Sequence, residues 1–436
     1  MASSITTSSS SSAWSGQMQP TATPLPGLLD KWLASHGAEL VSVRRHIHAN
    51  PELSGEEHAT ADYLAARLAS AGLAPRFLPK GNGLICDIGP AGSDIGPAGS
   101  EIGAAGSAGG PVVAVRADLD ALPLPDVKDV PYRSTVDGVC HACGHDVHAT
   151  VVLGTGLVIA HLAEQGLLPG RVRLLLQPSE ERFPSGAPEV IDAGGLDDVS
   201  SIFAVHCDPR LPTGLVGVRS GPLTAAADQL EVRLSGPGGH TARPHLTTDL
   251  VNALGRLVVD VPAMLSRRID PRAGVSLVFG AVQAGQAANA IPQEGVARAT
   301  VRVLDRSAWE EVPELLEELV RAAIAGTGAH AEIEYTRGVP PVVNDRMATA
   351  TIAGAAAAAL GGDRVVESPV SMGGEDFAWY LEQVPGAMAR LGVGRPGEEL
   401  DLHQGSFDID ERAIGYGVRV MVHTALAALD NGITAP

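Results

Sequence analysis

Nine consecutive residues, Cys140-His141-Ala142-Cys143-Gly144-His145-Asp146-Val147-His148, hold two thiols, three imidazoles and a carboxylate. Such a run spends its volume on metal-binding atoms rather than on core packing. By itself it is open to three readings: a structural zinc knuckle, a CxxC redox pair, or one part of a metal-centred active site completed from elsewhere in the chain.

The completing parts are visible in three short apolar runs that share one design. Val112–Ala117 leads to Asp118 and Asp120, Arg171–Pro178 leads to Glu180 and Glu181, and Ser201–Val205 leads to His206. Each is the pattern of a buried strand that ends in a ligand-type residue. A helical stretch, His148–Gln165, lies between the first two. The pattern predicts an α/β fold with a mixed, mostly parallel sheet flanked by helices, and a site at the carboxyl ends of its strands. Three such ends beside the Cys/His run favour the metal-centred site over the knuckle.

Upstream, Leu28–Ala49 and Glu56–Ala71 read as helices, with His46 and His48 as surface or supporting groups. From Asp87 a heptad repeats three times (DIGPAGS, DIGPAGS, EIGAAGS), a composition that buries little and predicts a flexible loop over 87–107. Residues 1–26 are rich in Ser, Thr and Pro and lack a basic start and an apolar core, so they read as a disordered tail.

Downstream, the order strand (Gln229–Leu234), Gly-rich turn (Ser235–His240), helix (Thr248–Arg267), strand (Gly274–Gln283), strand (Gly295–Leu304), helix (Ala308–Ile324), strand (Ala331–Tyr335) is β-α-β-β-α-β, a small ferredoxin-like α+β unit. The predicted organisation is therefore a tail (1–26), the first part of a catalytic domain (27–222), an inserted lid or dimerisation domain (223–338) and the rest of the catalytic domain (339–436).

Composition excludes some partners. With 436 residues and 45% hydrophobic content the chain can bury a sizeable core. A net charge of -19 argues against nucleic acid and anionic membranes. No uninterrupted apolar run reaches bilayer length, so no transmembrane helix is expected. Four cysteines, two of them among histidines, do not make a disulfide framework in a chain this long, and cytoplasmic localisation is expected.

Eight motifs in order complete the reading: RADLDALP at Arg116–Pro123, HACGHDVH at His141–His148, QPSEE at Gln177–Glu181, AVH at Ala204–His206, GPGGHTARPH at Gly236–His245, NAIP at Asn289–Pro292, MGGEDF at Met372–Phe377 and LHQGSFD at Leu402–Asp408. In combination they resemble the M20 metallopeptidases, and among them the aminoacylase/amidohydrolase branch that includes hippurate hydrolases and plant auxin-conjugate hydrolases. The resemblance runs from about Leu28 to the terminal helix and departs from the family pattern at Arg182–Gly186 and Gln283–Ala288.

The resemblance implies two divalent metal ions per chain (Zn, Mn or Co) held by Cys143 as a bridging thiolate, His145, Glu181, His206 and His403. It implies Glu180 as general base and His240 as an oxyanion-stabilising group supplied across a homodimer interface formed by residues 223–338. It also implies Asn289 and Arg302 as holders of the substrate carboxylate, and the N-acyl amino acid as a small-molecule substrate whose amide bond is hydrolysed. Asp118 and Asp120 are expected to orient a ligand imidazole, and Asp146, His148, His245 and Asp376 to line the site or serve structure. Alternatives are a dipeptidase or carboxypeptidase with the same centre, a non-catalytic metal-binding scaffold, and a thiol-redox protein.

Overall fold

The computed structural model describes residues 25–90 and 111–431. Most of the expected tail and of the heptad repeat therefore lies outside the described residues. At their borders two expectations are corrected: Leu25 and Pro26 already belong to the first helix, and Asp87 and Ile88 close a strand. Ile88 is buried, and both Asp87 carboxylate oxygens bind Arg173. The repeat's composition hid these two residues, because one buried side chain and one ion pair suffice to hold them in the sheet.

In chain order the first part contains α1 (Leu25–Ala49), α2 (His58–Ser70), β1 (Arg76–Phe77), β2 (Leu84–Ile88), β3 (Val112–Asp118), α3 (His145–Glu164), β4 (Arg171–Gln177), α4 (Ala187–Asp192), β5 (Val199–Pro212), β6 (Val216–Val218) and β7 (Gly221–Thr224). The later returning part contains β14 (Val342–Asn344), α7 (Arg346–Leu360), β15 (Val365–Glu367), α8 (Ala378–Leu381), β16 (Gly386–Gly394) and α9 (Arg412–Asn431). Eight of these strands form one sheet in the order β1-β2-β4-β3-β5-β16-β6-β15. Its centre, β4-β3-β5-β16, is parallel, and antiparallel pairs flank it.

Helices α1, α3, α7 and α9 cover one face, where Val113, Val115, Phe203 and Val205 pack against Val151, Val418 and Met421. The opposite face buries Ala114, Leu175, Ile202, Ala204 and Met388 under Phe377 and Tyr380. Both faces are covered, which is why these strands read as continuous apolar runs. Helix α3 is long and apolar enough to cross a bilayer by length and composition, and 89% of its most apolar stretch is buried inside the protein. It is a core helix.

Between the two parts come β8 (Ala226–Ser235), β9 (Gly239–His240), α5 (Leu250–Arg268), β10 (Ser276–Ala284), β11 (Ala290–Ile291), β12 (Glu294–Val303), α6 (Arg306–Ile324) and β13 (His330–Val339). Strands β10-β12-β8-β13 make an antiparallel sheet backed by α5 and α6, with a core of its own around Leu230, Leu257, Val301 and Leu316. Alternation is clean in β8, as expected for a sheet with one covered face.

Candidate metal centre

The carboxyl ends of the parallel strands converge on the start of α3. Gly144, the residue before α3, has φ +92°, and a Cβ there would lie 2.8 Å from the Cys207 side chain. Only glycine turns the chain so tightly between Cys143 and His145. Two other site residues hold positive φ without being glycine: Ser179 at 59° and His403 at 60°. The first precedes the Glu180-Glu181 pair and donates its backbone N–H to Glu57. The second donates its N–H to the Ala142 carbonyl at 2.7 Å. Backbone strain is thus concentrated where ligand-type side chains meet.

The donor atoms crowd together. Cys143 Sγ lies 3.6 Å from His206 Nε2, and His403 Nε2 lies 3.1 Å from Glu181 Oε1. His145 Nε2 is 3.9 Å from both Glu180 Oε2 and Glu181 Oε1. Within each of the groups Cys143/His145/His206, Cys143/Glu181/His403 and His145/Glu180/Glu181, the donor atoms lie within 4.8 Å of one another.

Hydrogen bonds decide which imidazole nitrogens are free to ligate. His145 Nδ1 faces the Asp120 carbonyl at 2.9 Å, so it carries the proton, and Nε2 is left buried with no hydrogen-bond partner among the described residues. His206 Nδ1 likewise faces the Cys207 carbonyl at 2.8 Å and leaves Nε2 towards Cys143. Both rings turn Nε2 towards the other donors; in His206 that nitrogen is bare, and in His145 a bound cation would displace its proton. His148 does not: its Nε2 accepts from the Cys207 N–H at 2.8 Å and its Nδ1 donates to Asp118 at 2.6 Å. Asp120 orients His145 and also accepts from the Glu181 N–H and the Ser54 hydroxyl, tying two strand ends together.

Electrostatics point the same way. Burial, reinforced by Glu375 and Glu181, pushes the Glu180 carboxyl well above its usual range. Burial, together with Glu181, also pushes the Cys143 thiol well up. Burial pulls His145 down, but Asp118, Cys143 and Asp120 outweigh it and raise its pKa well above the ordinary value. Burial, Arg390 and His148 hold His206 well below the ordinary value, so its imidazole is neutral. A thiol and acids packed this closely are a costly arrangement that bound cations would relieve. The orphaned His145 Nε2 is a further place such a cation would occupy, so the donor set fits divalent metal.

Sequence reasoning missed the frame around this cluster. Arg116, fully buried, donates to Gln177 (2.8 Å), Asp118 (2.6 Å) and Asp376 (2.6 Å), with Glu375 at 3.2 Å. Behind α3, Asp146 Oδ2 takes Arg44 Nε at 2.7 Å and lies 2.7 Å from His48 Nδ1. His48, expected as a surface or supporting group, is fully buried there. These pairs join residues far apart in sequence, and no local motif marks them.

Three expected site residues lie on the smaller sheet and its ribbon. Arg302 on β12 reaches the loop before Glu375, where a Cβ at Gly374 would stand 3.4 Å from its Nη1. His240 pairs with Ala290 in the exposed β9/β11 ribbon, and the Asn289 carbonyl accepts from Thr241. Among the described residues, no hydrogen bond or ion pair joins His240 to the cluster within this chain. His245 is exposed in the same region.

A protein-family model described as peptidase family M20/M25/M40 matches residues 114–427. The N-acetylcysteine deacetylase of Bacillus subtilis is 34% identical over 392 residues, which cover 90% of this chain and 97% of that protein. A Rhodococcus jostii protein whose name gives glutamate–cysteine ligase 2-3 is 45% identical over 394 residues; these are 90% of this chain and 47% of that protein, so the chain spans about half its length. Among solved structures, the Bacillus subtilis YXEP protein, described as a dinuclear metal binding peptidase from the M20 family, superposes with a TM-score of 0.77 at 31% identity, covering 91% of this chain and 99% of that one.

Proposed function

The chain belongs to peptidase family M20/M25/M40, and from that premise we infer that it is a metal-dependent hydrolase that cleaves the amide bond of N-acyl amino acids, releasing a carboxylic acid and a free amino acid. The observation that carries this reading is the convergence of Cys143, His145, Glu181, His206 and His403 around the adjacent, unspent carboxyl of Glu180. The deacetylase name of the relative matched over nearly its whole length supports the substrate class.

In this reading those five residues would hold two divalent ions. Bound there, the ions acidify water and polarise a carbonyl oxygen. Thiolate, imidazole and carboxylate together admit zinc, manganese or cobalt. The chain's own part is proton handling and orientation. Glu180 takes the proton of the attacking water on a carboxylate oxygen and passes it to the departing amide nitrogen. Asp120 keeps the His145 ring in the tautomer that leaves Nε2 free. Arg302 and Asn289 hold the substrate carboxylate.

His240 stabilises the oxyanion from the neighbouring subunit of a homodimer built on residues 223–338. Support comes from the smaller sheet's edge strand β10, where Val278 and Val282 are 58% and 48% exposed, and from α5, where Val259 is 68% exposed. Apolar side chains on an unpaired strand edge and on its neighbouring helix are surfaces that association would cover. Four free, buried cysteines support a reducing, cytoplasmic setting.

The test is amine release from N-acetyl, N-benzoyl and long-chain N-acyl amino acids beside matched dipeptides, with protein stripped by chelator and refilled with Zn, Mn or Co. Metal-dependent cleavage that ranks acyl compounds above dipeptides is the expected result. The reverse ranking would make the protein a dipeptidase, and two bound ions without any cleavage would make it a metal-binding scaffold.

A further inference from the structure

Two arginines share the sheet face that carries the site, and they are satisfied very differently. Arg116 on β3 pairs with Ala204 of β5, two residues before His206, and Arg390 on β16 pairs with His206 itself. In parallel strands, residues in register project to one face, and so do residues two apart. Arg116 has its donors filled by Gln177, Asp118 and Asp376. Among the described residues the Arg390 guanidinium makes no hydrogen bond and no ion pair. Burial lowers its pKa, opposed by Glu375, Asp208 and Cys143. A guanidinium taken largely out of water without a partner is costly, and its planar fork suits a carboxylate.

A second free fork borders the same loop. Arg302 approaches Gly374, and among the described residues its guanidinium too has no hydrogen-bond or ion-pair partner. An N-acyl amino acid with a neutral side chain and a neutral acyl group brings one carboxylate, which Arg302 takes in the reading above. That leaves Arg390 without an anion.

We propose that Arg390 binds a second carboxylate, so that the preferred substrates are dianionic N-acyl amino acids, with the extra acid on the amino acid side chain or at the end of the acyl group. This rests on the N-acyl amino acid hydrolase reading and narrows its substrate class. Arg390 acts here as a specificity residue: it selects the substrate and takes no proton.

The experiment compares matched pairs, N-acetylglutamate with N-acetylglutamine and N-succinylalanine with N-butanoylalanine, in wild type, Arg390→Gln and Arg390→Lys. Wild type is expected to favour the dianion in at least one pair by about 10- to 100-fold in kcat/KM, the scale of a charge-assisted pair. The pair that responds tells which end of the substrate carries the acid. Arg390→Gln should bring that ratio close to one, and Arg390→Lys should keep part of it. A wild type that ignores the second carboxylate in both pairs overturns the proposal. So does an Arg390→Gln variant that slows all substrates alike, which is what a mere prop for His206 would do.

Binding of glutarate and butyrate by calorimetry separates this from failure of the parent reading. If no N-acyl compound is cleaved, glutarate preferred about tenfold by wild type and not by Arg390→Gln still supports the anion site. Equal binding of the two acids overturns it.

Discussion

Glu181 Oε1 and His403 Nε2 lie 3.1 Å apart, joining the loop after β4 to the segment before α9. Hydrogen bonding to Glu181 raises the His403 pKa, against the smaller opposing effect of burial. The His403 side chain is 54% exposed, so its removal leaves the core untouched. His403→Ala is therefore expected to weaken one of two bound ions by at least about tenfold, the lower end of what disturbing even a supporting group costs a metal site. Thermal stability of the metal-free protein should barely change. Metal titration of stripped protein reads the first effect and a melting scan the second.

Gly144→Ala is expected to be far more damaging than its one added methyl implies. The backbone there sits at φ +92°, and the new Cβ would meet the Cys207 side chain at 2.8 Å. A left-handed alanine plus overpacking costs about 2–5 kcal/mol together. Urea unfolding measures the loss, and metal affinity should fall with it because Gly144 separates Cys143 from His145.

Arg116→Met should destabilise the protein by about 3–5 kcal/mol, because it strands the buried Asp118, Glu375 and Asp376 carboxyls without their shared cation. The expected readout is a lower urea midpoint, with activity lost even at temperatures where the variant is folded.

Acid should destabilise the metal-free protein partly through His141. Burial holds its pKa down at about 3, and both ring nitrogens lack hydrogen-bond partners among the described residues. The unfolded chain binds this proton near the ordinary value of about 6.5, so it holds more protons than the fold between that pH and 3. Stability from this residue is present above about pH 6.5 and is lost as pH falls. Between pH 7 and pH 5 the loss is about 2 kcal/mol, from roughly one and a half pH units at full slope. In His141→Leu the stability curve should be flatter by that amount; an unchanged slope would remove His141 as the cause.

The central strands were legible because burial on both faces writes itself as an apolar run, and each run ended in a residue whose donor atom the fold carries to the cluster. Strand β16 was not legible. Gly386, Gly392 and Gly394 interrupt its apolar pattern, and a Cβ at Gly392 would stand 2.2 Å from the Pro212 carbonyl, so close backbone approach requires glycine inside this strand. Arg390 was hidden with it. The five proposed ligands and Glu180 could be picked out in sequence because their motifs are local. The pairs that brace them, Arg44 with Asp146 and Arg116 with Asp376, depend on distant segments meeting, which spacing along the chain does not encode.

The most direct test of the account is Glu180→Gln, compared with wild type after both are stripped and reloaded with metal. The substitution keeps size and hydrogen bonding while removing the group assigned to carry the proton. The account predicts that Glu180→Gln binds two ions per chain like wild type and loses at least about a hundredfold in the rate of N-acyl amino acid cleavage. Cleavage at the wild-type rate by a fully loaded Glu180→Gln protein would contradict it.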